Sequence, residues 1–179
     1  MMEKRGKASK IILTLFLMIF LFTLLQFLSP IFLPSNTYIE IDGMVGVINN
    51  EVEIENMSFP WNIGYLLGDS LCHQKQERSF IINGNQMPFC SRCTAIWLGL
   101  TTGLAVMLFY HVKLNSIFMI ILILSLFPIG IDGGGQLIGL WESTNISRTL
   151  TGLIIGVPVG IALGVIIDEG KVLFKSKTN

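Results

Sequence analysis

The sequence predicts an all-α integral membrane protein with about four transmembrane helices, and three observations predict it. Charged residues make up 13% of the chain against 51% hydrophobic, where soluble domains carry about 25% charged residues. Three apolar runs have the length of a bilayer crossing: Ile11–Leu33 with 23 residues, and Thr94–Val112 and Thr149–Ile167 with 19 each; about 20 are needed. The formal net charge is zero, which leaves no basic surface for nucleic acid.

The first run follows Lys4, Arg5, Lys7 and Lys10. Its apolar core is too long for a signal peptide and no small-residue cleavage site follows, so residues 1–33 read as an uncleaved membrane anchor. Residues 34–58 come next. Ile39 and Ile41 alternate with Glu40 and Asp42, and Val52 and Ile54 with Glu51, Glu53 and Glu55, around a Gly43–Gly46 turn. Period two with a central turn predicts a small acidic extramembrane β-hairpin whose charges keep it solvated.

Residues 59–170 form the membrane domain, followed by a basic tail over 171–179. Phe59–Leu71 is too short and too interrupted by Pro60, Gly64, Gly68 and Asp69 to cross. It reads as a short interfacial or re-entrant helix, with Trp61 and Tyr65 suited to the headgroup level. Ser116–Ile131 is a fourth span of 16 residues, which requires extra length or a thinned bilayer. Basic residues divide eight against four across the membrane whether or not Phe59–Leu71 crosses, so length decides for four spans. The N-terminus is then cytoplasmic and the cysteine-rich connection external, in a multi-pass cell-membrane protein. Gly152, Gly156, Gly160 and Gly164 recur every fourth residue, and Gly99 and Gly103 repeat the spacing. Such stripes let helix backbones approach closely.

Chemistry concentrates between the short helix and the second span. "CHQKQERSFIINGNQMPFCSRC" holds all three cysteines and one of the two histidines. Cys90 and Cys93 stand directly before an apolar helix, with Ser91 or Thr94 as candidate N-cap. The positive helix end and Arg92 both favour thiolate there. Cys72 and His73 add two donors, and the four residues Cys72, His73, Cys90 and Cys93 match a Cys₃His zinc set. Neighbouring residues rarely aim at one ion, so His73 is alternatively an acid–base group or a hydrogen-bonding support beside an open fourth position. A thiol–disulfide pair at Cys90 and Cys93, with Cys72 as exchange partner, competes with the metal reading, and so does an inert structural role. The second polar segment, "IDGGGQLIGLWESTNISR", emerges on the same side, because two spans separate it from the cysteines. The short Lys113–Asn115 connection also makes the two helices it joins antiparallel neighbours. Asp132 there either pairs with Arg148 or acts as a base or metal ligand, and the three glycines offer backbone N–H groups to an anion such as a lipid phosphate. His111 reads as a helix-end residue.

Cys72-His73-Gln74, Arg78-Ser79-Phe80, Gly84 with Gln86 and Pro88, Cys90-x-Arg92-Cys93, Asp132-Gly133 with Gln136, and Arg148 before Thr151-Gly152 together resemble the signature of the predicted membrane proteins grouped as domain of unknown function 2085. The likeness runs over roughly residues 60 to 165, with Thr94-Ala95 where Thr-Gly is expected. It implies the membrane architecture and the site list and leaves the reaction open. The resulting candidates are His73, Asp132 and Arg148 for catalysis, Arg78, Gln136 and Arg148 for substrate, and Cys72, His73, Cys90 and Cys93 for zinc. The expected partners are the lipid bilayer and a lipid-linked or anionic ligand, and the pattern is compatible with a homo-oligomer. A thiol–disulfide oxidoreductase and a non-enzymatic transporter or scaffold are the alternatives.

Overall fold

The structure is a computed structural model that describes residues 2–5 and 9–177. It is a mostly helical membrane fold: four helical stretches are long and apolar enough to cross a bilayer. In chain order the elements are β1 (Met2–Lys4), α1 (Lys10–Phe32), α2 (Glu51–Glu55), α3 (Trp61–Leu71), β2 (Ile81–Ile82), β3 (Asn85–Gln86), α4 (Ser91–Phe109), β4 (Tyr110–Val112), α5 (Ser116–Leu124), α6 (Leu126–Leu137) and α7 (Asn145–Lys177). The basic tail's last two residues lie outside the described residues.

The helix pair α4–α7 is the centre of the bundle, and glycine makes it possible. A Cβ on Gly99 would sit 2.8 Å from Gly156 Cα, and one on Gly160 would sit 3.0 Å from Leu100 Cα. With hydrogen in those positions the two backbones touch at Gly152, Gly156 and Gly160, the close approach that small residues give membrane helices. The first span, α1, packs against α4 and α3. Its Thr23 hydroxyl pairs with that of Thr101 at 3.0 Å. At the opposite end from the cysteines, Ile12, Leu104, Met107, Val112, Phe118 and Val165 close an apolar core.

The third span is longer than its apolar run. It continues through Asp132 and the three glycines to Leu137, 22 residues from Ser116, so no thinned bilayer is needed. Ser125 interrupts it between α5 and α6. Pro128 explains the break, since it lacks an N–H and its ring clashes with the carbonyl four residues back. Residues 133–135 are therefore helical and do not form the anion-binding loop their glycines suggest; their N–H groups lie inside α6. This span lies chiefly against α7 rather than α4, because the glycine faces of α4 and α7 claim each other.

Outside the spans, α3 is an 11-residue helix, about half of what a crossing needs. The small antiparallel hairpin exists, but at Ile81–Gln86 rather than within residues 34–58. Its turn is Asn83-Gly84, both with positive φ (56° and 72°), as a tight hairpin turn requires. The acidic segment instead wraps as irregular chain ending in α2. Its apolar side chains Tyr38, Ile41, Ile54 and Met57 join Leu33 and Tyr65 in a second core. Side-chain amides replace the missing strand partner. Asn85 Oδ1 accepts from the N–H groups of Thr37 and Tyr38, both at 3.0 Å. Gln86 Oε1 accepts from Ile41 N at 3.1 Å, and its Nε2 donates to Ile41 O at 2.8 Å. Buried Asp69 takes the N–H groups of Asn49 (2.7 Å) and Asn50 (3.0 Å). Glu51 and Glu53 fall in the first turn of α2, where negative charge suits a helix N-terminus.

Candidate metal and anion site at one end of the bundle

Cys72 ends α3, Cys90 is the N-cap of α4 and Cys93 lies in its first turn. A capping role for Ser91 or Thr94 is not what the fold uses: Ser91 is already helical, and its hydroxyl donates to Arg78 O at 3.0 Å. The three sulfurs lie within 4.8 Å of one another and can hold a metal ion. All three are free thiols. Cys72 and Cys90 are 1% and 3% exposed, under Phe89, Phe22 and Leu67. The Cys90 N–H points at Cys72 Sγ at 3.4 Å. Hydrogen bonds from the Cys72 and Cys93 thiols hold the Cys90 thiol well below the usual cysteine range, so one sulfur of the cluster is ready to bind as thiolate.

His73 stands beside this cluster rather than within the sulfur triangle. Its Nδ1 is 3.6 Å from Cys72 Sγ and its Nε2 is 3.5 Å from Arg78 Nη1. Hydrogen bonds to Cys72 and Cys90 raise its pKa to about 9. With that pKa the ring is an imidazolium at neutral pH, and both its nitrogens carry protons. A protonated Nδ1 facing Cys72 Sγ supports thiolate and offers no lone pair to a metal.

Asp132 reaches the same end from α6, but its partner is Arg92, not Arg148. Its carboxylate pairs with the Arg92 guanidinium, accepts from Ser143 Oγ at 2.7 Å and from Ser147 Oγ at 3.3 Å. Arg148 turns the other way along α7. It is 4% exposed and donates to Asn145 Oδ1 at 3.0 Å. The orientation of the Gln136 carboxamide that satisfies both its atoms turns Oε1 toward two guanidiniums, accepting from Arg78 Nη2 at 3.2 Å and Arg148 Nη2 at 3.1 Å. Asn145 fastens the group to the cysteine segment: its Oδ1 lies 3.0 Å from Ser91 Oγ, sharing that hydroxyl's one proton with Arg78 O, and its Nδ2 donates to Ser79 O at 3.2 Å. Two polar clusters thus lie side by side, a thiol cluster with His73 and a guanidinium cluster, joined through Arg78.

Every candidate site residue reaches this one end. The residues that sequence reasoning left out of the site are Arg92 as the partner of Asp132, together with Ser143, Ser147 and Asn145. Asn145-Ile146-Ser147 has the form of a glycosylation acceptor, which hides that its Asn and Ser hold an arginine and an aspartate.

A mostly helical multi-pass membrane protein with a tri-cysteine cluster at one end of its bundle is the class that fold and site define. The chain belongs to the family described as "Predicted membrane protein (DUF2085)", whose model matches residues 72–162. It is 41% identical over 96 residues to an uncharacterised protein of Methanothermobacter thermautotrophicus, covering 54% of this chain and 83% of that one. It is also 41% identical over 99 residues to an uncharacterised protein of Methanocaldococcus jannaschii, covering 53% of this chain and 62% of that one. No solved structure matches. The matched span contains every residue of both clusters and omits the N-terminal anchor and the acidic segment.

Proposed function

We propose that the protein is a membrane metalloprotein whose Cys72, Cys90 and Cys93 hold one zinc ion at the bundle end, beside arginines that take the anionic part of a lipid-linked or otherwise anionic substrate. The observation that carries the reading is the convergence of three free sulfurs from two separate segments within 4.8 Å. The donor set fits the ion: thiolates suit zinc, and three protein ligands leave one position open, as in catalytic rather than structural sites. When bound there, zinc supplies a Lewis acid or an activated water.

The chain's own residues do the rest. Phe22, Phe89 and Leu67 pack on the cysteines and keep bulk water from their buried side. His73 donates to Cys72 and fixes that sulfur as a ligand, the usual work of a neighbouring imidazole at a metal site. Arg78, Arg148 and Gln136 receive the anion. Asp132, with both oxygens engaged, orients Arg92 beside Cys93 and serves as a positioning residue. The cysteine end faces outward and the N-terminus lies in the cytoplasm.

The test is elemental analysis of the purified protein. About one zinc per chain is expected, lost on Cys90→Ser or Cys93→Ser and retained in His73→Gln. Metal-free protein carrying a quantitative Cys90–Cys93 disulfide sinks the proposal in favour of thiol–disulfide exchange.

A further inference from the structure

We infer that Arg78, Arg148 and Gln136 form a binding site for a phosphate group, as a phosphomonoester or free phosphate. This deepens the anionic-substrate part of the reading above, and its test is separate from that of the metal.

The charges near Arg148 are Arg78, Arg92, Asp132 and Cys90. Asp132 is committed to Arg92 and two serines. Arg78 and Arg148 are left sharing a single neutral oxygen, Gln136 Oε1. Arg78 has one carboxylate nearby, Glu77 Oε1 at 3.6 Å from Nε, on an exposed side chain; Arg148 is buried with neutral partners only. Like charges held together on a neutral acceptor repel one another across a few ångström. The backbone makes the repulsion worse. Arg92 and Arg148 lie in the first turns of α4 and α7, where the helix ends already carry partial positive charge and cations are disfavoured.

A zinc ion on three thiolates carries one net negative charge, too few to offset this excess. An oxyanion supplies the missing charge. Two guanidiniums aim one N–H donor each at the same acceptor, and a guanidinium's fork of donors matches phosphate oxygens in pairs. Phosphate, as a monoanion or dianion, brings negative charge directly to the two arginines that Asp132 leaves uncompensated. Asn145 Oδ1 holds Arg148 Nη1 at 3.0 Å, and His73 Nε2, 3.5 Å from Arg78 Nη1, links Arg78 to the cysteine cluster.

The experiment is calorimetric titration of the intact, metal-loaded protein in neutral detergent with inorganic phosphate, against sodium chloride at equal ionic strength. Saturable phosphate binding is expected, weakened roughly tenfold or more in Arg78→Gln, since a hydrogen bond to a charged group is lost. Gln136→Glu places a carboxylate where the ligand's charge belongs, so it should abolish phosphate binding while raising thermal stability. That rise also shows that the variant folds. In bilayer nanodiscs, competition from phosphatidic acid over phosphatidylcholine identifies a lipid phosphate, and undiminished binding identifies a water-soluble one. Zinc-loaded wild-type protein that shows no binding of phosphate beyond chloride overturns the inference, as does unchanged binding in both variants. Protein that contains no metal as purified yet binds phosphate overturns the zinc reading alone.

Discussion

Asp132 shows how one carboxylate can be read correctly by location and wrongly by partner. Its position at a span end called for compensation, and the nearest basic residue in sequence was Arg148. The helical register decides otherwise: α6 aims Asp132 at Arg92 on α4, with Ser143 and Ser147 completing its shell. Which of two arginines on two helices faces a carboxylate depends on helix rotation, which sequence spacing does not encode when the pairing is long-range. Asp132→Asn removes the charge partner of a mostly buried arginine. The expected cost is about 3–5 kcal/mol, read as a lower melting temperature in detergent, whereas Ser143→Ala should cost about 1 kcal/mol. Equal, small losses from both would show that the Arg92–Asp132 pair is solvated. The same substitution frees Arg92 next to Cys93, so the rate of Cys93 with a water-soluble maleimide should change in metal-free protein.

At the scale of elements, apolar length was enough to find all four spans, and glycine spacing was enough to name the faces of α4 and α7 that meet. The third span's true end was hidden because Asp132 and three glycines look like a loop, and membrane burial with a paired carboxylate overrides that local preference. The acidic segment was misread as a hairpin because period two does not say who pairs with whom. Its backbone partners turned out to be Asn85, Gln86 and Asp69, side chains up to 48 positions away. Gly156→Leu should strongly destabilise the bundle, since even a Cβ there would lie 2.9 Å from Gly99 Cα. Gly130→Leu is the control: nothing lies within 4 Å of its Cβ position, so the melting temperature should be little changed. Comparable losses from the two would mean that α4 and α7 do not touch through glycine.

For the whole molecule, the cap that follows the first span and the cysteine site are hydrogen-bonded together. Gln86 is 0% exposed and bonds through its carboxamide to Ile41 and to the carbonyl of Gln74, two residues from Cys72. The Gln74 side chain in turn donates to Pro88 O at 2.9 Å, two residues before Cys90. The cap therefore ties together the two cysteine-bearing segments. Gln86→Leu leaves several buried backbone groups unpaired at about 1–3 kcal/mol each. Its expected effect is protease sensitivity across residues 39–50 together with weaker metal retention. Loosening of the cap with full metal retention would show the two to be independent. The grouping of Cys72, Cys90, Cys93, Arg78 and Gln136 at one end was legible, because the number of spans between two segments determines their side. How the cap supports them was not, because it rests on side-chain amides rather than on any periodic pattern.

At the other end of the bundle β1 pairs with β4, Met2 opposite Val112, and Arg5 forms an ion pair with Asp168, which also meets His111 Nδ1 at 3.2 Å. A ribosome delivers Arg5 early, yet Asp168 follows 163 positions later. The first strand waits for two spans before β4 appears, and Arg5 waits until the last of the four is made, so fastening the beginning of the chain to its last helix is a late event in the protein's birth. A chain interrupted before α7 has no aspartate for Arg5, and one interrupted before β4 also shows an open strand edge, the kind of surface that invites foreign pairing. Unfinished and finished molecules therefore differ at the end of the bundle opposite the cysteines, where a free strand edge and an unpaired Arg5 mark the incomplete chain.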